Sequence, residues 1–472
     1  MVRQEGPEHV SSRPNSDPSG MSAAWSLRGK ADIEQGARHP RFMSMSRQIM
    51  AQRMSSLPML AGFDRSRLSA VVDWLAVGVA VSLPWSTTAT DVLVVAWLVA
   101  VLPTLDLPAL RRELSTAAAY LPVLLWLLAA IGMLWADVSW AERFSGLNKF
   151  HRLLFIPLLL LHFQKSERGV WVLWFFLAST SALLLVSWAS LLIPALASRE
   201  NTIGVPVKEY ISQSAEFVAC AFGLLAFACG AARERRWRLA LGSVVAALLF
   251  LADMLFVVTS RTALLVIVAL LLLLAFKAFR WKGLVTALVV SCVAAAAVWS
   301  ASPYLRDRLT TSVTELKAYR EKNAANPTGL HLEFLRESLT FVSTAPLFGH
   351  GTGSIPQLFR QAAFGGEGAS SATWGTPHDQ ILGVAVQIGL IGAVLLIAMW
   401  IVHFLFFTGK GLVSLIGMLV VAQNVVSSTF DLYLFAFVPG WLYVFGVGVV
   451  GGMVLRQRDI ASTKAARPPQ VS

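Results

Sequence analysis

Long apolar runs recur along the chain after Leu68, and short groups of charged and turn-forming residues separate them. A helix needs about 20 mainly apolar residues to cross the ~30 Å hydrocarbon core of a bilayer. Backbone polar groups in lipid need partners within the protein, so these runs predict helices. We place about twelve spans, near residues 69–85, 88–105, 116–135, 150–163, 170–196, 213–232, 239–259, 262–276, 283–300, 378–405, 411–430 and 432–455.

The basic residues of the short connections predict the orientation of these spans, because Lys and Arg are retained on the cytoplasmic side. Alternate connections are all basic if the N-terminus is cytoplasmic. They carry Arg111 and Arg112; Lys165 and Arg168; Arg233, Arg235, Arg236 and Arg238; Lys277, Arg280 and Lys282; Lys410; and Arg456 and Arg458. The large loop then faces the periplasm or the exterior.

The same pattern divides the chain into five parts. Residues 1–65 lack apolar periodicity and predict a disordered, basic cytoplasmic tail. Spans one to nine occupy 66–300, a large, partly helical periplasmic loop occupies 301–377, and the last three spans occupy 378–455. A short cytoplasmic tail, 456–472, follows. The predicted fold is an all-α polytopic membrane protein.

Composition supports this class and excludes others. The chain is 56% apolar and 14% charged, with a mean hydropathy of +0.63, which leaves too little polar surface for a soluble chain of 472 residues. The net charge of +12 comes from the cytoplasmic connections and from a second set of cations on the outer side. No pattern indicates nucleic-acid binding or a nucleotide-binding loop.

The second set of cations begins after the third span. Arg143, Lys149 and Arg152 lie at the entrance of the fourth span. They can bind a phosphate-bearing lipid through charge-assisted hydrogen bonds, or they can extend to lipid headgroups. Lys208, in a later outer connection, either joins that anion site or is solvated.

Arg261 follows Ser260 in a very short hairpin between two apolar spans. An arginine at the membrane boundary is costly and typically faces a bundle interior, where it pairs with another group or lines a substrate path. A substrate anion is the favoured partner, and an ion pair within the protein is the alternative. The carboxylates Asp73, Asp91, Glu216 and Asp431 lie near span ends, where an interfacial charge is ordinary.

The large loop carries further candidates. His331 and Arg336 lie on a stretch with helical spacing, and the sequence GHGTG at 349–353 is a weak phosphate-loop signal. A Gly- and Ser-rich stretch then leads to His378, where the chain re-enters the membrane. A neutral imidazole there can act as a base or can be an ordinary interfacial histidine.

Three widely separated segments, TSRTALL, HLEFLRESL with APLFGHGTG, and HDQILGVAVQIGLIG, resemble the O-antigen ligase and polymerase family of membrane glycosyltransferases. The resemblance covers about two thirds of the chain, from the fourth span onward. It implies a glycosyltransferase-C-like fold, with Arg261 and His378 as the catalytic residues. Asp379 stands where the family usually has Asn, and His331 where many relatives have Arg.

The resemblance also implies the reaction. An O-antigen glycan passes from undecaprenyl diphosphate to a hydroxyl of the lipid A core oligosaccharide, with inversion and without metal or cofactor, at the periplasmic face of a bacterial inner membrane. Arg143, Lys149, Arg152 and Lys208 then bind the diphosphate, and His331 and Arg336 contact the acceptor or an anion. An O-antigen polymerase, a protein O-oligosaccharyltransferase and a transporter of lipid-linked sugars are the alternatives.

Overall fold

The computed structural model describes residues 65–196, 204–257, 260–301, 303–373 and 375–465. These residues form sixteen α-helices. In chain order they are α1 (Arg65–Ser82), α2 (Thr87–Val101), α3 (Leu107–Glu113), α4 (Ala117–Gly132), α5 (Trp140–Asn148), α6 (Phe155–Lys165), α7 (Gly169–Ser190), α8 (Tyr210–Arg233), α9 (Trp237–Phe256), α10 (Arg261–Ala301), α11 (Pro303–Lys322), α12 (Pro327–Thr344), α13 (Ile355–Ala362), α14 (Gln380–Phe406), α15 (Leu412–Ser427) and α16 (Phe437–Ala465).

Seven helices in the described part of the chain are long and apolar enough to cross a membrane. The number is nine if each of two sharply bent helix pairs, α3 with α4 and α5 with the helical segment that includes α6, forms one span. The protein is therefore an all-α polytopic membrane protein, as the sequence predicts.

Each of the twelve predicted spans overlaps a helix. Two of them, 262–276 and 283–300, fall within α10, which breaks at Arg280 (φ 57°, ψ −142°). The helix α16 continues beyond the predicted end of the last span at 455 and reaches Ala465. The predicted tail at residues 1–65 lies outside the described residues, apart from Arg65.

The helices α6 and α16 form a close pair that fixes the site region. Gly448 and Gly452 of α16 face Leu159 and Phe163 of α6, and a Cβ added at either glycine would lie only 2.4 to 2.6 Å from a Cβ of the partner. Close backbone approach therefore depends on the missing side chains. The pair holds the chain around residue 152 against the start of α16.

The helix α14 is interrupted one third of the way along. Ile388 (φ −129°) and Gly389 (φ 71°) leave the helical conformation, and the interruption frees the carbonyl groups of Val386 and Gln387. The backbone N–H groups of His350 and Gly351 donate to these carbonyls, each at 2.8 Å. The glycine-rich turn thus replaces hydrogen bonds that the helix break removes.

The segment between α10 and α14 is partly helical and is fixed to α14. Phe334 and Phe341 of α12 pack with Ile355 and Phe359 of α13 and with Val386 of α14. Below this cluster, the buried carboxylate of Glu333 accepts hydrogen bonds from Tyr319, Arg336 and Ser370. The apolar cluster and this polar junction position His331 and the chain that leads to His378.

Candidate active site

His378 lies at the junction between the loop helices and α14. Its backbone has a positive φ of 50°, which is uncommon for a residue other than glycine and often accompanies a functional position. The next residue, Asp379, caps α14, because its side chain accepts a hydrogen bond from Leu382 N at 2.8 Å. The cap fixes the point at which the imidazole leaves the helix.

Two rings of α12 lie against the His378 imidazole. The centroid of the His331 ring is 4.7 Å away, at an interplanar angle of 33°. The Phe334 ring is stacked at 5.9 Å and 17°. The predicted candidates His331 and His378 are therefore neighbours, and Phe334 restricts the orientation of His378.

A carboxylate completes this group. Asp431, in the connection between α15 and α16, places Oδ1 3.7 Å from His378 Nδ1, and the two side chains are 32% and 31% exposed. Gln380 holds that connection to α14: its N–H donates to Ser428 O at 2.8 Å, and its Oε1 accepts from Leu434 N at 3.0 Å. The carboxylate is thus held beside the imidazole by contacts on both sides of it.

The environment sets the protonation state of both flanking groups. Burial by itself would raise the pKa of Asp431, but His378, the Leu432 N–H and His331 together lower it below its ordinary value. The pKa of His331 is lowered, first by burial and then by His378, while Asp431 opposes the shift. At neutral pH, Asp431 is therefore ionised and His331 is neutral.

This arrangement can transfer a proton. A partly exposed imidazole can accept a proton from a substrate hydroxyl, and an ionised carboxylate at its Nδ1 stabilises the imidazolium that forms. A neutral His331 adds no competing positive charge. The group can therefore serve as a general base with an orienting carboxylate.

Two of the predicted phosphate-binding cations, Arg152 and Lys208, lie against the start of α16, a few residues after Asp431. The guanidinium carbon of Arg152 is 5.2 Å from the centroid of the Phe437 ring, and Lys208 Nζ is 5.6 Å from the same centroid. Arg152 also donates to the carbonyls of Phe435 and Ala436, and Lys208 to that of Leu83. The connection that carries Asp431 therefore ends near both cations.

Other predicted cations have different surroundings. Arg143 donates to the carbonyl groups of Val138 and Met133, at 2.9 and 2.8 Å, and so stabilises the turn after α4. Among the described residues, the Lys149 ammonium has no hydrogen-bond or ion-pair partner, which leaves it available to an anion. Arg336 pairs with Glu333 at 2.6 Å, so its charge is already compensated.

Arg261 is the first residue of α10. Its side chain lies outside the described part of the chain, so its role as a catalytic anion contact stays a prediction.

The glycine-rich turn is not a phosphate loop. Besides the two N–H groups that meet the break in α14, Thr352 N donates to Gly132 O at 3.1 Å and Gly353 N to Gln387 Oε1 at 2.9 Å. Gly349 N and Ser354 N bond to carbonyls within the segment. A phosphate would need these donors, and they are already used. The turn instead locks the loop helices onto α4 and α14.

Asp431 is the residue that sequence reasoning missed. Its position near a span end predicts an ordinary interfacial charge. Its contact with His378 joins two connections that are separated by α14 and α15, and no local pattern reveals that contact. The signal available in the sequence was its position between the last two predicted spans, on the same side of the membrane as His378.

The described residues of this multi-span helical protein thus combine a His–His–Asp group at the end of a broken helix with two cations at the start of α16. No group of three His, Cys, Asp or Glu side chains in the described residues is arranged to hold a metal ion.

Residues 246–397 match the model of the family described as O-antigen ligase. This match confirms the predicted resemblance over that segment, which is about a third of the chain. The matched residues include His331, His378 and the break in α14, whereas Asp431 lies beyond them. The comparison with curated protein sequences found no match.

Proposed function

We propose that the protein is an O-antigen ligase. It transfers an O-antigen glycan from undecaprenyl diphosphate to a hydroxyl of the lipid A core oligosaccharide, with inversion at the anomeric carbon. The observation that carries the proposal is the pairing of His378 with Asp431 at the edge of the segment that matches the O-antigen ligase family. The basic connections support an inner-membrane location with this site on the periplasmic side.

The proposed reaction begins with proton transfer. His378 takes the proton of the acceptor hydroxyl as that oxygen attacks the anomeric carbon of the donor sugar. Asp431 stabilises the imidazolium that forms. His331, neutral and adjacent, is placed to hydrogen-bond the acceptor sugar.

The leaving group is a diphosphate, so the bond from the anomeric carbon to its oxygen breaks with its electron pair. Cations lower the energy of that developing charge. Arg152 and Lys208 supply two of them, and Lys149, whose ammonium is unpaired among the described residues, can supply a third. Arg143 and Arg261 are further candidates for this role. In this scheme the chain's own residues supply both the base and the charge stabilisation.

A deletion strain of the source bacterium tests the proposal against the polymerase alternative. A ligase deletion removes O-antigen from lipid A while long polymer accumulates on undecaprenyl diphosphate. Loss of long polymer on the carrier itself contradicts the ligase proposal and supports a polymerase. Complementation with the wild-type gene restores lipid A-linked O-antigen, and the His378→Ala gene, present at equal protein level, does not.

A further inference from the structure

An apolar cavity of about 270 Å³ lies among α1, α7, α8, α15 and α16, outside the group around His378. Its walls are made of aliphatic, aromatic and glycine residues, and Cys220 is the most polar of them. The volume is close to the lower end of known ligand pockets, which begin at about 300 Å³. Such walls offer water almost no hydrogen-bond partners, so the cavity is better suited to a hydrocarbon.

The cavity is elongated along the helices. On α16 its wall runs from Leu442 to Met453, a distance of roughly 16 Å at about 1.5 Å per residue. That is about half of the ~30 Å hydrocarbon thickness. Its length and narrow lining fit one flexible chain better than a compact ring system.

One end of the cavity is lined by residues next to the groups that hold Arg152 and Lys208. Leu83 lines this end, and its carbonyl group is the one that accepts the hydrogen bond from Lys208. Leu442, on the opposite wall, is five residues after Phe437, the ring that Arg152 and Lys208 both contact. A molecule with an anionic head at these cations would direct its tail into the cavity.

We propose that this cavity binds the first part of the polyprenyl chain of the lipid-linked donor and so sets the register of the diphosphate between Arg152 and Lys208. This inference rests on the proposed function, because it concerns the same donor. The chemistry that selects the occupant is a single hydrocarbon chain that carries a diphosphate at its end. A phospholipid has two chains, which this lining is less suited to hold.

Gly223 provides a direct way to fill the cavity. It lies on α8 in the cavity wall, and a Cβ added there meets no atom within 4 Å. Gly223→Leu therefore extends a side chain into empty space without displacing backbone. Gly230→Leu is the matched control, because Gly230 lies on the same helix, has equally open surroundings and is not part of the wall.

The experiment measures binding of undecaprenyl diphosphate and of dimethylallyl diphosphate to purified protein in nanodiscs. Gly223→Leu should weaken binding of undecaprenyl diphosphate at least tenfold and change binding of dimethylallyl diphosphate less than twofold, since the short chain does not reach the wall. Gly230→Leu should leave both unchanged. Val420→Phe, from another wall, should repeat the Gly223→Leu result if that variant folds poorly.

Equal binding of undecaprenyl diphosphate by Gly223→Leu, Val420→Phe and wild type would overturn the inference. So would an equal loss for both diphosphates, because the substitution would then act on the cations and not on the chain. Failure of the proposed function is separate: wild type would transfer no glycan, yet the dependence of binding on chain length would remain. If the wild type transfers glycan but the cavity variants bind the long-chain and the short-chain diphosphate as the wild type does, the cavity assignment is wrong and the proposed function stands.

Discussion

At the scale of single residues, the pairing of His378 with Asp431 is the most informative contact. An imidazole with a carboxylate at Nδ1 has its orientation and its charge controlled by one neighbour. The distance of 3.7 Å is longer than a hydrogen bond, as is common in catalytic groups without substrate. The contact assigns Asp431 as a positioning residue for His378.

Asp431→Asn should lower kcat by about 10- to 100-fold, because the contact with His378 should tighten, as the imidazolium forms, to a charge-assisted hydrogen bond of roughly 1.5–3 kcal/mol. KM for the donor should change little, because the diphosphate contacts remain. Steady-state kinetics on the purified variant measure kcat and KM separately. Asp379→Asn is the matched control, because Asn caps a helix as well as Asp. An equal loss of kcat in the control would show that the effect does not depend on the contact between Asp431 and His378.

Lys208→Met should raise KM for the donor about tenfold, because a cation beside the Phe437 ring is lost and its contribution to binding a phosphate is on the order of 1.5–3 kcal/mol. Lys208→Arg keeps the charge and should recover most of the affinity. The measurement is the donor concentration dependence of the transfer rate. Unchanged KM in Lys208→Met would remove this residue from the diphosphate site.

At the scale of elements, the broken helix α14 organises the site. The break exposes two carbonyl groups, and the turn that contains His350 satisfies them. The fit is close on both sides: a Cβ added at Gly389 would lie 1.9 Å from Leu347 O, and one at Gly351 would lie 2.3 Å from the Cα of Ala136. The glycines are thus required by contact distance as well as by their positive φ angles.

Gly389→Ala should destabilise the protein by more than about 2 kcal/mol, because positive-φ strain adds to a steric overlap with backbone. Thermal unfolding in detergent, followed by intrinsic fluorescence, measures the loss. Gly242→Ala on α9, where a Cβ meets nothing within 4 Å, should be neutral or slightly stabilising. A variant Gly389→Ala with wild-type Tm would show that the loop and α14 separate more easily than their contacts indicate.

The helix α12 carries a group that titrates near neutral pH. Burial, and then the charge of Glu333, raise the pKa of Glu337 from 4.5 to about 7. The folded protein therefore holds this proton at pH values where the unfolded chain has released it. Its contribution to stability is present below pH 4.5 and is lost as the pH rises towards 7.

Glu337→Gln removes this titration, so the variant should match wild type in Tm at pH 5 and exceed it at pH 8. Thermal unfolding at the two pH values measures the difference. Glu321→Gln, an exposed glutamate on α11, is the control and should follow wild type at both. An equal Tm difference at pH 5 and pH 8 would contradict the assigned shift of Glu337.

At the scale of the whole molecule, the sequence predicted where the helices lie, because long apolar runs in lipid favour helices. It predicted about twelve spans, whereas seven to nine of the described helices are long and apolar enough to cross a membrane. It also identified His331 and His378 as candidates, but their contact is a finding of the structure. The break in α14 was not predicted, since Ile388 and Gly389 lie inside a mainly apolar run that is long enough for one continuous helix. The weak phosphate-loop signal of GHGTG has no counterpart in the structure, because the N–H groups of the turn bond to the break in α14, to Gly132 and to carbonyls within the segment.

Long-range contacts account for the rest of what the sequence missed. Arg152 and Lys208 converge on Phe437, which lies in a third part of the chain, and Asp431 meets His378 across two helices. Local patterns identify the type of side chain and its depth. They do not identify which connections meet, because that depends on how the helices pack.

The most direct test of the proposed function is transfer in a purified system. Wild-type protein in nanodiscs, incubated with defined undecaprenyl diphosphate-linked O-antigen and lipid A core, should form the lipid A-linked product. His378→Ala should form it about 10²- to 10⁴-fold more slowly, the range expected for loss of a general base. Product formation by His378→Ala at the wild-type rate would contradict the central claim that this histidine activates the acceptor.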